Sequence, residues 1–182
     1  MKIILVRHGR PLFNENRRIT GTEFSLWLEQ YDLSGVQEEI SYPMLNGSLV
    51  VTSDLKRSVH SAQLLSPNEK VIADPLFREV ELPIMNSGLK LSPRVWTVIL
   101  RVIWVSGYSK GCESYQEAKG RAQAASSRLI EWAGVHNSII LVGHGFFNML
   151  IAKELVNSGW KGKRRAGTKH WSCTTYTFDG DA

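Results

Sequence analysis

The most constraining feature of the chain is a buried-strand pattern that occurs twice and ends each time on a histidine. Ile-Ile-Leu-Val stands at residues 3–6 and again at 139–142, and the two runs lead into His8-Gly9 and His144-Gly145. Continuous apolar runs rich in β-branched residues are typical of parallel strands buried on both faces. The carboxyl ends of parallel strands meet at one edge of the sheet, where open α/β folds bind ligands. We therefore expect both histidines at that edge.

Strand-like and helix-like segments alternate along the rest of the chain. Strands are predicted at residues 2–6, 49–52, 71–73, 138–142 and 172–178, the last as an edge strand. Helices are predicted at 35–42, 54–65, 93–105, 115–134 and 146–157, and Ser114 with Glu117 forms a capping box before the fourth. This alternation indicates an α/β fold, a three-layer α/β/α sandwich with a mostly parallel central sheet, in one domain over residues 1–182. Residues 9–33 and 78–93 are less regular, and we expect them to wall a pocket.

The composition is that of an ordinary globular chain. A chain of 182 residues, 43% of them hydrophobic, buries enough surface to fold without a staple. Cys112 and Cys173 are too few for a disulfide framework or a metal site. No apolar run is long enough for a signal peptide or a membrane span. We therefore expect a soluble cytoplasmic protein with no cofactor and no metal.

The positive charge of the chain is concentrated in one segment. Residues 161–169 hold five basic residues and no acidic one: Lys161, Lys163, Arg164, Arg165 and Lys169. The chain has 22 Lys and Arg residues and 17 Asp and Glu residues, so outside these five the positive and negative charges are equal in number. The excess is local, so neither nucleic acid nor a membrane is the expected partner. The segment is either a solvated loop or added charge for an anionic substrate or acidic partner.

Arg7 beside His8 suggests phosphoryl chemistry on a histidine nucleophile. A transferring phosphoryl group needs preorganised cations, and a guanidinium can meet it with two parallel hydrogen bonds. Cations close to His8 would lower the pKa of the imidazole and keep it in its neutral, nucleophilic form. We predict a hydrogen bond from the other ring nitrogen to a backbone carbonyl, which would fix the tautomer.

A second cation is predicted from the segment that follows the 49–52 strand. We expect Ser53 or Asp54 to cap the next helix and Arg57 to lie one turn in, near the positive end of the helix dipole. Arg57 would then reach the same sheet edge as His8.

These residues together resemble the histidine phosphatase superfamily, the phosphoglycerate-mutase-like group. The family's opening pattern matches Arg7-His8-Gly9, Asn14, Arg18 and Gly21, and its second pattern matches Ser53, Arg57, Ser58, Ser61 and Ala62. The start of one helix matches Gly111-Cys112-Glu113-Ser114 with Arg121, and Gly143-His144-Gly145 completes the set.

The resemblance implies a metal-independent phosphomonoesterase of the phosphatase branch. His8 would be the nucleophile that becomes phosphohistidine, and His144 a second catalytic residue. Arg7, Arg57 and Asn14 would bind the phosphate.

The family's proton donor is an acid shortly after the third strand. Glu79 is the favoured candidate and Glu81 the alternative. Arg18 is either a substrate contact or a solvated loop residue. His60, His136 and His170 lack the setting of His8 and are interpreted as surface or hydrogen-bonded side chains.

Two departures from the family pattern concern the substrate side. Pro11 replaces the usual Thr or Ser, and Leu82-Pro83-Ile84-Met85 replaces a glycine-containing stretch. The substrate, a phosphorylated small molecule or a phosphoprotein, and the oligomeric state are therefore left open. Two other functions stay as alternatives, a phosphate-binding regulatory module with little turnover and a phosphoglycerate-mutase-type phosphotransferase.

Overall fold

The computed structural model describes residues 1–38 and 47–179, and in it five strands form one sheet. The strands are β1 (Lys2–Arg7), β2 (Leu49–Thr52), β3 (Val71–Ala73), β4 (Ser138–Gly143) and β5 (Cys173–Thr177). Their order is β3-β2-β4-β1-β5, in which β5 is antiparallel to β1 and the other neighbours are parallel. The predicted strands and the predicted edge position of the last one are confirmed.

Helices cover both faces of this sheet. They are α1 (Gly21–Asp32), α2 (Lys56–Leu65), α3 (Pro93–Val105), α4 (Tyr115–His136) and α5 (Gly145–Asn157). Successive side chains of a strand point to opposite faces, so Ile3 and Leu5 pack with α4 and α5, whereas Ile4 and Val6 pack with α2. The predicted three-layer α/β/α sandwich is confirmed, as is the Ser114–Glu117 capping box.

The two segments expected to wall a pocket are joined to each other. Ile19 and Leu91 form a β-bridge, and the indole nitrogen of Trp96 donates to the Ile19 carbonyl at 2.8 Å. A separate apolar cluster, formed by Ile19, Phe24, Trp96 and Leu100, holds α1 against α3. The first of these segments contains α1, so the prediction that residues 9–33 are irregular is wrong for Gly21–Asp32.

One predicted helix is wrong where the structure describes it, and another begins two residues later than predicted. Residues 35–38 of the predicted helix 35–42 are not helical, and 39–42 lie outside the described residues. The amide of Val36 donates to His60 Nδ1 at 3.1 Å and the carbonyl of Gly35 accepts from Leu12, so these groups do not enter a helical ladder. The helix predicted from residue 54 begins at Lys56, with Leu55 as its N-cap and no side-chain cap.

In the part of the chain that the structure describes, no helix combines the length and apolarity that crossing a membrane would need.

Candidate active site

The register of β1 and β4 brings His8 and His144 together. Arg7 pairs with Gly143, and the amide of His8 donates to the Gly143 carbonyl at 3.0 Å. The two imidazole ring centroids lie 5.2 Å apart, and the residues are 2% and 0% exposed. The predicted convergence at the carboxyl edge of the sheet is confirmed.

The His8 ring is held in one tautomer. Its Nδ1 lies 2.8 Å from the carbonyl oxygen of Gly9. A carbonyl only accepts, so this hydrogen bond places the proton on Nδ1 and leaves the lone pair on Nε2. Burial lowers the pKa of His8 well below its ordinary value, and Arg57, His144 and Arg7 lower it further. The neutral, nucleophilic form is therefore favoured, as predicted, and burial is the largest single cause.

His144 stands at the start of α5 and is also favoured in the neutral form. Its Nε2 lies 2.6 Å from the Ser53 hydroxyl and 3.2 Å from the Ser58 hydroxyl. Burial lowers the pKa of His144 first, followed by the charges of Arg57, Arg7 and Arg121. Its Nδ1 is buried and has no hydrogen-bond partner within residues 1–38 and 47–179. Ser53 therefore contacts the second histidine instead of capping α2.

Arg57 is the second residue of α2, and it is only 3% exposed. One terminal nitrogen, Nη1, donates to the carboxylate of Asp32 at the end of α1. The guanidinium carbon lies 4.9 Å from the centre of the Tyr31 ring, a cation–π distance. The Nε atom is buried, and no described residue accepts its hydrogen.

Arg7, the last residue of β1, is held in the same way. Its Nη1 donates to the backbone carbonyl of Thr168, and its Nε is buried without an acceptor in the described part of the chain. Gly145 allows the close approach, because a Cβ there would lie 3.2 Å from Arg7 Nε. Each arginine thus has one end fixed and one donor free beside two neutral imidazoles. This donor set suits the equatorial oxygens of a phosphoryl group.

Glu79 lies at the start of α5, next to His144. Its two carboxylate oxygens accept from the amides of Phe146 at 3.1 Å, Phe147 at 2.9 Å and Val80 at 3.0 Å. Glu81, in contrast, is exposed. Of the two acids considered from the sequence, Glu79 is the one that contacts the helix start just after His144, and its role as proton donor stays a prediction.

Arg121 fixes the segment that carries Glu79. Its guanidinium pairs with the carboxylate of Glu113, and its Nη1 donates to the carbonyls of Leu76 at 3.0 Å and Arg78 at 2.8 Å. The family resemblance identified Arg121 without a role, and the structure shows that it positions the loop before Glu79.

Two predicted ligands are not brought into the cluster. Asn14 is exposed, and its Oδ1 accepts from the Asn16 side chain at 3.2 Å. Arg18 is exposed as well. The amide of Leu12 donates to the Gly35 carbonyl and the amide of Phe13 to the Ser34 hydroxyl, and these bonds tie this part of the chain to the segment after α1. The phosphate-binding role of Asn14 and the substrate contact of Arg18 stay predictions.

The sequence did not predict that Tyr31, Asp32 and a third histidine, His170, contact the residues of the site. The ring centroid of His170 lies 5.3 Å from that of His8, and its Nδ1 lies 3.3 Å from the His8 carbonyl oxygen. His170 directly follows the basic segment 161–169, in which Thr168 contacts Arg7. The one sequence signal for His170 is this neighbouring charge, since no strand pattern delivers it to the site.

Residues 3–182 match the histidine phosphatase superfamily (branch 1). A probable phosphoglycerate mutase of Cronobacter sakazakii is 31% identical over 88 residues, which cover 47% of this chain and 41% of that protein. A probable phosphoglycerate mutase of Salmonella paratyphi C is 25% identical over 171 residues, which cover 90% of this chain and 79% of that protein.

Solved structures share the fold at lower sequence identity. A phosphoglycerate mutase from Bacillus anthracis has a TM-score of 0.60 and 18% identity, with 98% of this chain and 91% of that one covered. A mycobacterial glucosyl-3-phosphoglycerate phosphatase has a TM-score of 0.57 and 18% identity, with 96% and 91% covered. The names of these proteins include both mutases and phosphatases. On the match over residues 3–182, the chain belongs to the histidine phosphatase superfamily (branch 1).

Proposed function

We propose that the protein is a phosphomonoesterase that works through a phosphohistidine on His8. The observation that carries this proposal is the pair of buried, neutral imidazoles 5.2 Å apart, beside two arginines whose Nε donors are free. A neutral nucleophile next to fixed cations is what phosphoryl transfer requires of a protein. The substrate is a phosphorylated small molecule or a phosphoprotein.

The reaction has two steps. In the first, the Nε2 lone pair of His8 forms a bond to phosphorus, the bond to the leaving oxygen breaks, and Glu79 gives that oxygen a proton. In the second, water attacks phosphorus, Glu79 takes up a proton from the water, and the bond to Nε2 breaks to release inorganic phosphate. Arg7, Arg57 and His144 hold the phosphoryl oxygens in both steps.

The surroundings of Glu79 bear on the first step. Its two carboxylate oxygens accept three backbone N–H bonds, two of them from the start of α5. To reach the leaving oxygen, the carboxyl group must give up part of this bonding. This feature keeps a weakly active phosphate-binding module as a second candidate function.

A phosphotransferase is the third candidate, because the curated relatives are named as probable phosphoglycerate mutases. A mutase must pass the phosphoryl group from histidine to an alcohol before water reaches it. The three candidates therefore differ in what accepts the phosphoryl group and in how fast it is transferred.

The test is hydrolysis of p-nitrophenyl phosphate with EDTA present, for the wild type, His8→Ala and the control His136→Ala. His136 ends α4 just before β4, at the opposite edge of the sheet from the site. A phosphatase keeps its activity in EDTA and with His136→Ala, and loses it with His8→Ala. Activity that survives in His8→Ala refutes the proposal. No hydrolysis by the wild type, with or without an added phosphoglycerate acceptor, favours the binding module.

A further inference from the structure

The ring of His170 lies 5.3 Å from that of His8, and the proposed reaction does not use this side chain. We refer to His8, His144, Arg7 and Arg57 as the anion pocket. His170 is half-buried, whereas His8 and His144 are fully buried, so it stands on the solvent side of the pair. Its Nδ1 faces the His8 carbonyl, which only accepts, and the ring proton therefore lies on Nδ1. The charge of the ring then depends on whether Nε2 takes up a second proton.

The backbone on both sides of His170 is fixed to the end of β1. The Thr168 carbonyl accepts from Arg7, and the Trp171 amide donates to the Arg7 carbonyl at 3.1 Å. Trp171 has a φ of 61°, a left-handed conformation that is uncommon for a side chain of this size. Its ring packs so closely on Gly9 that a Cβ at Gly9 would lie 2.6 Å from it. The placement of His170 is thus enforced by contacts on either side.

The groups that face His170 are cations and a neutral imidazole. Arg7 ends β1, His8 and Arg10 come from the loop that follows it, and Arg57 comes from α2. Burial and the charges of Arg7, Arg10 and Arg57 lower the pKa of His170 to about 4, against the opposing hydrogen bond to the His8 carbonyl. Near neutral pH the imidazole is therefore uncharged in the unliganded protein.

We propose that His170 is a phosphate-binding residue that takes up a proton when a phosphate dianion enters the pocket. The proposal rests on the proposed function, in that it assigns phosphate to this pocket. A dianion among Arg7, Arg57 and His8 offsets the field of the guanidiniums, and it attracts a proton to the free nitrogen of the nearby ring. The protonated ring then adds a charged donor to the phosphate from the solvent side.

The coupling has a definite sign. Because the pKa of His170 is higher with phosphate bound, its contribution to affinity is lost as the pH rises through the pKa of the complex. Between the pKa of the free ring, about 4, and that of the complex, the contribution changes by about tenfold per pH unit.

The experiment is calorimetric titration of inorganic phosphate into the wild type, His170→Gln and the control His136→Gln. Each titration is made near pH 6, about half a unit below the ordinary imidazole pKa, in two buffers of different ionisation enthalpy. The buffer dependence of the heat gives the protons taken up. We expect the wild type and His136→Gln to take up about 0.5 to 1 proton more per phosphate than His170→Gln does. The ionisation of phosphate itself cancels in this comparison.

A second measurement does not depend on the folding of a variant. In the wild type, the ring signals of His170 are followed by NMR over a pH series with and without phosphate. We expect phosphate to raise its pKa from about 4 to about 6 or higher, as the expected proton uptake requires.

Equal proton uptake by all three proteins, or a pKa of His170 that phosphate leaves unchanged, overturns the proposal while leaving the phosphatase function standing. Failure of the wild type to bind phosphate overturns both.

Discussion

Asp32 places a negative charge directly on a predicted phosphate ligand, and this makes Asp32→Asn an informative change. Its carboxylate accepts a hydrogen bond from Nη1 of Arg57. The Arg57 side chain is 3% exposed and the Asp32 side chain 46% exposed. A phosphate bound through the free Nε of Arg57 has this carboxylate on the far side of the same guanidinium. We expect Asp32→Asn to strengthen phosphate binding, because it removes a repelling charge.

The size of the effect follows from Coulomb's law. Two anions on opposite sides of a guanidinium are about 6 Å apart, and a single charge repels a dianion at that distance by about 1.4 kcal/mol in a medium like water. Salt screening and the exposure of Asp32 reduce this to about 0.7 kcal/mol at the lower end. The inhibition constant for phosphate should therefore fall by about three- to tenfold. Stability should fall by about 1 kcal/mol, because the buried Arg57 loses its counter-ion.

The assay is competitive inhibition of p-nitrophenyl phosphate hydrolysis by inorganic phosphate, with urea unfolding as the second readout. Glu29→Gln is the matched control, since Glu29 is an exposed acid on the same helix. Weaker phosphate binding by Asp32→Asn would refute the reasoning, because it would show that the carboxylate orients Arg57 for phosphate. An equal gain in Glu29→Gln would show that general surface charge is responsible.

Four further predictions follow from single contacts. Glu79→Gln should lower kcat by about 10²- to 10⁴-fold without changing phosphate inhibition, and a loss below about tenfold favours the binding module. Because burial lowers the pKa of His8, its phosphorylation rate at saturating substrate should fall between pH 7 and pH 5.5 by clearly less than the about eightfold that an imidazole with a pKa of about 6.5 would lose. Rapid-quench measurements check this, and a loss of about eightfold contradicts it. Gly9→Ala forces a Cβ against the Trp171 ring, and it should cost about 1 to 3 kcal/mol in urea unfolding; an unchanged midpoint contradicts that contact. Ser114→Ala should cost about 1 kcal/mol with kcat/KM unchanged, and a kinetic defect would contradict a purely structural cap.

The sheet and the paired histidines were predictable from the sequence because they depend on local pattern and general topology. Apolar runs at 3–6 and 139–142 specify buried strands wherever they occur. Parallel pairing then brings the residues after such strands to one edge, whatever the intervening chain does. His8 and His144 needed no further information, and the position of Arg57 one turn into the helix after the 49–52 strand added it to them.

Helix α1 has a signal in the sequence, although residues 9–33 were predicted to be irregular. Thr20 and Glu23 form a capping box, and apolar residues follow at helical spacing from Phe24 to Tyr31. The polar, arginine-rich stretch just before Thr20 favoured an irregular loop. Because α1 was not predicted, the contacts of Tyr31 and Asp32 in its last turn with Arg57 were not predicted either.

His170 could not have been placed from its own surroundings in the sequence. It lies in a long connection from α5 to an antiparallel edge strand, so no strand end delivers it to the site. Its position depends on backbone contacts of Thr168 and Trp171 with Arg7, which join residues more than 160 positions apart. Such contacts have no local periodicity to reveal them.

Burial and positive charge contribute differently to the protonation of the histidines and to phosphate binding in this pocket. For both His8 and His144, burial is the largest cause of the lowered pKa, and the arginines come second. The packing around the sheet edge is thus the largest single cause that keeps the proposed nucleophile neutral, whereas Arg7 and Arg57 mainly provide donors for the phosphoryl oxygens in the proposed reaction. It follows that neutralising one arginine should damage phosphate binding far more than it changes the protonation of His8. A chain that kept the apolar core and lost an arginine would still present a neutral histidine, with less to hold the group it attacks.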